Sequence, residues 1–139
     1  VHSPCSVLIA RALRRTGHGH LVCTDGSERS EILVNKEALL AKKSNFPLSI
    51  LSVARDEDEV IVAKEAVSRA EAIIRDLDVK IENTYTPVGD PVREIIEVGK
   101  NYSLIALADT GKTGLRKFFM GSVAFQVMEH AENSVLVVR

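Results

Sequence analysis

Short apolar runs alternate with amphipathic stretches along the whole chain. The runs of strand length cover residues 20–24, 48–54, 79–85, 103–108 and 134–139. Several are nearly continuous in Val, Ile and Leu, the pattern of strands covered by helices on both faces. Helical spacing fills the intervals. Val60, Ala63, Val67, Ala70, Ile73, Ile74 and Leu77 recur at three- and four-residue steps and make one apolar stripe. A further helix starts where Asp90 can cap it and Pro91 suits its first turn, with Val92, Ile95 and Ile96 inward. The last begins near Ser122 and turns Val123, Ala124, Val127 and Met128 inward. The alternation β-α-β-α-β-α-β-α-β predicts an α/β fold, a doubly wound open sheet of parallel strands with helices on both faces.

Composition narrows the function classes. At 139 residues the chain suits one domain, and aromatics at 4% with no Trp leave an aliphatic core without stacking platforms for single-stranded nucleic acid. Eighteen basic residues against nineteen acidic ones give a net charge of −1, so no long-range field favours nucleic acid or an anionic membrane. No apolar run approaches the roughly 20 residues of a transmembrane helix. Cys5 and Cys23 form neither a CxxC nor a disulfide framework, and the opening residues carry no signal-peptide pattern, so a reducing, cytoplasmic setting is expected.

An internal repeat organises the termini. The segment from Val1 to Arg11 aligns with the segment from Glu129 to Arg139, and His, Ser-Val-Leu and the final Arg coincide. Two apolar strands can resemble each other by chance, but five identities in eleven positions favour a true copy. Residues 1–11 are then expected to be the last strand of a preceding copy of the domain, 12–19 a linker, and 20–139 the domain itself. The strand from Ser134 to Arg139 is an apolar edge that invites pairing. Its partner is expected to be a second copy in a homodimer, or the strand from Val7 to Ala10 in an antiparallel tandem pseudo-dimer.

In open parallel sheets ligands sit beyond the carboxyl ends of the strands, where strand order reverses. Two glycine-bearing loops follow such ends. One is Thr24-Asp25-Gly26-Ser27; the other runs from Ala108 through Asp109, Gly111 and Lys112 to Gly121-Ser122. Glycines allow main-chain N–H groups to approach phosphate oxygens, a helix N-terminus adds positive potential, and Lys112, Arg116 and Lys117 add charge. The plainer reading is that Asp25 and Ser27 cap the first helix and Gly111 makes a turn.

Residues 106–113 imitate a phosphate-binding P-loop with its first Gly replaced by Ala. Such a loop normally follows the first strand and needs a later acid on a strand, and the last strand has none. His18 and His20 lack a third metal ligand and read as linker; Cys23 reads as a small buried hydrophobe and His130 as a residue favoured by a helix C-terminus. No nucleophile triad, paired-carboxylate site or metal cluster stands out, so the residues by themselves specify no enzymatic reaction.

Thr24-Asp25-Gly26-Ser27, Ile50-Leu51-Ser52-Val53, Val88-Gly89-Asp90-Pro91 and the stretch from Gly111 to Arg139 resemble the universal stress protein family over residues 20–139. The family signature G-x2-G-x9-G-[ST] stands here as Ala108-x2-Gly111-x9-Gly121-Ser122, followed by Ser134-Val135-Leu136-Val137-Val138. The resemblance implies a parallel sheet of order 3-2-1-4-5 and an adenine nucleotide, ATP with Mg2+ foremost, bound across the first and fourth strands. It also implies roles for this chain's residues. Thr24 and Asp25 would lie by the ribose and the backbone at Val53 by the adenine. Ala108, Gly111, Lys112, Gly121, Ser122 and Val123 would surround the phosphates. The departure is Ala108, where a methyl replaces hydrogen and a positive φ would be disfavoured, followed by the carboxylate of Asp109. Two functions are therefore expected to compete: a nucleotide-binding stress-response module acting through dimerisation, and a module of the same fold that works without nucleotide.

Overall fold

The computed structural model describes residues 6–11, 18–108 and 121–138. In chain order the elements are β1 (Val7–Ile9), β2 (His18–Cys23), α1 (Glu28–Ser44), β3 (Leu48–Leu51), α2 (Val60–Asp76), β4 (Ile81–Tyr85), α3 (Pro91–Gly99), β5 (Tyr102–Ala108), α4 (Gly121–His130) and β6 (Ser134–Val138). They form one six-stranded sheet of order β1-β6-β5-β2-β3-β4. Every pairing from β2 to β6 is parallel, and without β1 the order is the one the family resemblance implies. β1 adds an antiparallel edge, with Val7, Leu8 and Ile9 opposite Val137, Leu136 and Val135.

Local chemistry sets the helix starts. Ser27 caps α1 by accepting from the Ser30 N–H, and Asp90 caps α3 by accepting from the Arg93 N–H at 3.0 Å, with Pro91 at the first helical position. α1 also carries Glu28 and Glu31 in its first turn and Lys42 and Lys43 in its last, each sign favoured by the helix dipole, and Asn45 ends it at φ 58°.

The two-residue period of the strands divides the core between two faces. Leu21, Cys23, Ile105, Leu107, Val135 and Val137 pack with Ile95 of α3 and Val123, Ala124 and Val127 of α4. Val22, Leu48, Ile50, Ala106 and Ala108 pack with Leu33, Val34 and Ala38 of α1 and Val67, Ala70 and Ile74 of α2. Both faces are covered, which accounts for the unbroken apolar runs.

The sequence reading needs one correction. His18 and Gly19 belong to β2, not to a linker, and His18 pairs with Tyr102. A side chain at position 19 would run into the Pro47 carbonyl oxygen, so glycine here permits close passage of two main chains. His20 is likewise no linker residue: its Nδ1 lies 2.7 Å from Oε1 of the buried Glu37, and its ring stands 4.0 Å from that of Phe46.

Candidate functional site

β2 is flanked by β3 on one side and β5 on the other. The chain leaves β2 through α1 toward β3 and returns through α3 into β5, so the reversal of direction falls between the carboxyl ends of β2 and β5. The Thr24 N–H extends the ladder past the end of β2 by donating to the Leu51 carbonyl at 2.9 Å.

Beyond it the chain folds into a hydrogen-bonded knot. Asp25 is almost fully buried, and its Oδ1 accepts from the Ser27 N–H at 2.9 Å and from the Ser30 hydroxyl at 3.0 Å. The Thr24 hydroxyl accepts from the Gly26 N–H at 3.1 Å and lies 2.9 Å from the Ser30 hydroxyl. Gly26 adopts φ +81°, which an L side chain disfavours, and the Arg69 guanidinium of α2 donates to its carbonyl at 3.2 Å. Arg69 also donates to Glu31 at 2.7 Å, so α1 and α2 brace the loop together.

Capping accounts for Ser27 and for half of Asp25. Its second oxygen, Oδ2, is buried and has no hydrogen-bond partner among the described residues. A desolvated carboxylate oxygen without a donor is costly, and buried polar atoms in folded proteins are nearly always satisfied. A carboxylate oxygen accepts hydrogen bonds, so the ligand chemistry that completes it is a hydroxyl or an N–H.

The other expected site residues divide. Val53 follows the end of β3 and Val123 lies in the first turn of α4, but both side chains are buried in the α3/α4-face core. Ala108 closes β5 opposite Val138 and is buried in the α1/α2-face core. It is not among the residues with positive φ, so its methyl group brings no backbone strain. Gly121 and Ser122 open α4, whose N-terminus lies at the same sheet edge by the direction of β5. Gly111 and Lys112, with Asp109, Arg116 and Lys117, lie outside the described residues. Sequence reasoning missed Ser30 and Arg69. Ser30 was legible as the third residue after a capping serine; the reach of Arg69 depends on how α2 packs on α1.

Elsewhere the chemistry is subdued. Burial pushes the Cys23 thiol up, which keeps it protonated and unreactive. His130 ends α4 beside Glu129, 3.2 Å away. An open cleft of about 440 Å³ between α1 and α2, floored by Ile32, Ile73 and Leu77, lies outside the helix layer rather than at the strand ends. Among the described residues no three His, Cys, Asp or Glu side chains gather as metal ligands would, and no helix is long and apolar enough to cross a membrane.

The arrangement has relatives. The model of the universal stress protein family matches residues 20–139. A universal stress protein of Methanocaldococcus jannaschii is 38% identical over 78 residues, 55% of this chain but only 45% of that relative. The universal stress protein YxiE of Bacillus subtilis is 30% identical over 144 residues, 86% of this chain and 97% of its own. Among solved structures, a universal stress protein in complex with cAMP is 26% identical with a TM-score of 0.64, covering 88% of this chain and 96% of that one. One from Archaeoglobus fulgidus in complex with dAMP is 23% identical with a TM-score of 0.71, covering 88% and 98%. A second Archaeoglobus fulgidus protein, 18% identical with a TM-score of 0.73, shares the fold over 96% of this chain but only 49% of its own. With the family model spanning the whole parallel sheet and the strand order in agreement, the chain belongs to the universal stress protein family.

Proposed function

We propose that this chain is a module that binds an adenine nucleotide at the sheet edge between β2 and β5, with ATP and accompanying Mg2+ the leading ligand. The observation that carries the reading is Asp25 Oδ2, a buried acceptor with no donor among the described residues. A ribose hydroxyl is a donor of the right kind. The main chain at Val53 would meet the adenine edge. The α4 N-terminus at Gly121 and Ser122 would supply positive potential for phosphates, and Gly111 and Lys112, which precede it in sequence, are the further residues assigned to them. Relatives in complex with cAMP and dAMP support the ligand class. Ala108 keeps strand geometry with its methyl group in the core, which removes the strain objection raised by the altered signature.

The module acts in stress response or signalling by pairing domains along β6. The tandem form of that reading is supported by β1, which repeats the β6 sequence, and by the Archaeoglobus fulgidus chain of about twice this length that matches nearly all of it.

Calorimetry with MgATP, dAMP and cAMP at millimolar concentration tests the binding. Heat is expected with the wild type. In Asp25→Asn, which turns the idle acceptor into an amide, affinity falls about tenfold or more while the melting temperature moves little. Absence of heat and of any thermal shift with all three ligands would leave a module that works without nucleotide.

A further inference from the structure

α1 turns one face to the core and, opposite it, a second patterned face to solvent. Leu33, Val34, Ala38 and Ala41 are buried. On the outer side Arg29, Lys36 and Lys43 recur at seven-residue intervals, and Ile32 and Leu39 stand between them at the same interval. Steps of three and four residues set all five on one line, the spacing of a seam between helices. Ile32 and Leu39 are 47% and 51% exposed, and Leu40 beside them is 43% exposed. Among the described residues seven large apolar side chains are exposed; three share this helix, and the other four lie singly on four different segments. Single ones need no explanation, but a cluster does.

The cations of this face are idle as well. Arg55, Arg69, Arg75 and Lys100 are each ion-paired with a glutamate. Arg29, Lys36 and Lys43 have no such partner among the described residues. The helix dipole accounts for Lys43 in the last turn, but it opposes Arg29 in the first and is indifferent to Lys36 in the middle. A chain of net charge −1 therefore carries a seam whose charges are all positive, with aliphatic side chains set between them.

We propose that the outer face of α1 docks an acidic amphipathic helix of another protein. Carboxylates of that helix meet Arg29, Lys36 and Lys43, and its aliphatic side chains meet Ile32 and Leu39. A second copy of α1 does not fit, because two such faces set cation against cation. A lipid surface fits poorly too. Ile32 and Leu39 cannot sink into a bilayer without drawing in the cations on either side, and the broad apolar face of α1 is already packed in the core. At about 1.5 Å per residue the seam is about 21 Å long, so the contact belongs to the small, transient class. Nucleotide binding plays no part in it.

The test titrates the full chain with a synthetic helical peptide of pattern Glu-x2-Leu-x3-Glu-x2-Leu-x3-Glu, alanine elsewhere. Calorimetry is expected to show saturable binding that weakens as salt rises, with amide shifts centred on α1. Lys36→Glu and Leu39→Ala, both solvent-facing, each weaken it about fivefold or more at an unchanged melting temperature. A peptide with lysine at the central glutamate position binds Lys36→Glu better than it binds the wild type, a reversal that direct pairing gives. Absence of binding at millimolar peptide, or equal binding by a peptide with lysine at all three glutamate positions, would overturn the acidic helix as the occupant. So would tighter association with phosphatidylserine vesicles than with the peptide, which would assign the face to a membrane.

Discussion

Ala108 shows how far one methyl group is from the role its position in the signature suggests. It sits in the last step of β5, buried in the α1/α2-face core beside the residues of α1. Ala108→Gly therefore removes a packed methyl group and loosens a strand, a loss of about 1 kcal/mol in denaturant titration, with nucleotide affinity unchanged. An affinity that rises with the glycine would mean that the methyl group does obstruct the ligand. Asp25 is the opposite case. Its burial, its doubly occupied Oδ1 and an Oδ2 without a partner among the described residues make a local imbalance.

Among the elements, β4 and β5 are joined under α3 by a pair of tyrosines. The Tyr85 and Tyr102 hydroxyls lie 2.7 Å apart, and the rings meet edge to face at 6.3 Å. Burial, and then the hydrogen bond to Tyr102, push Tyr85 up to about 12 from its ordinary 10.0. A folded-state pKa above the unfolded value means that the native state favours the neutral phenol. That contribution is complete below pH 10 and is lost as pH rises toward 12. Tyrosinate absorbance should show one ionisation delayed above pH 10 in the folded protein, and Tyr85→Phe should abolish the delayed step. If Tyr85 ionises at its ordinary value before unfolding, the pair is not sealed from solvent. The elements were also where sequence reading succeeded best. Val, Ile and Leu runs with helices on both sides leave little ambiguity, and Asp90-Pro91 marks the start of α3 outright. It failed at His18-Gly19 because a polar residue beside glycine looks like a linker, and the contact with Pro47 that makes glycine necessary is not local. The site was legible as loops at strand ends, but not the bracing by Ser30 and Arg69, which depends on side chains meeting across three segments.

At the scale of the whole molecule, β1 covers the outer edge of β6. Removing residues 1–12 takes that strand away and leaves the β6 ladder bare on its outer side. The truncated chain should lose stability or double its mass, as measured by thermal melting and light scattering. If mass and stability stay the same, the leading strand plays no part in assembly, and the tandem reading fails. One consequence of the antiparallel edge concerns time rather than shape. Arg11 and Ser134 meet across 123 residues of sequence. A ribosome adding about 5–20 residues per second needs roughly 6–25 s to make the interval between them. The first of the described strands to be made is thus the last to be housed. Until β6 emerges, β1 lacks the antiparallel neighbour it has in this sheet, and that interval is when a chaperone, or a neighbouring nascent chain, competes for that edge.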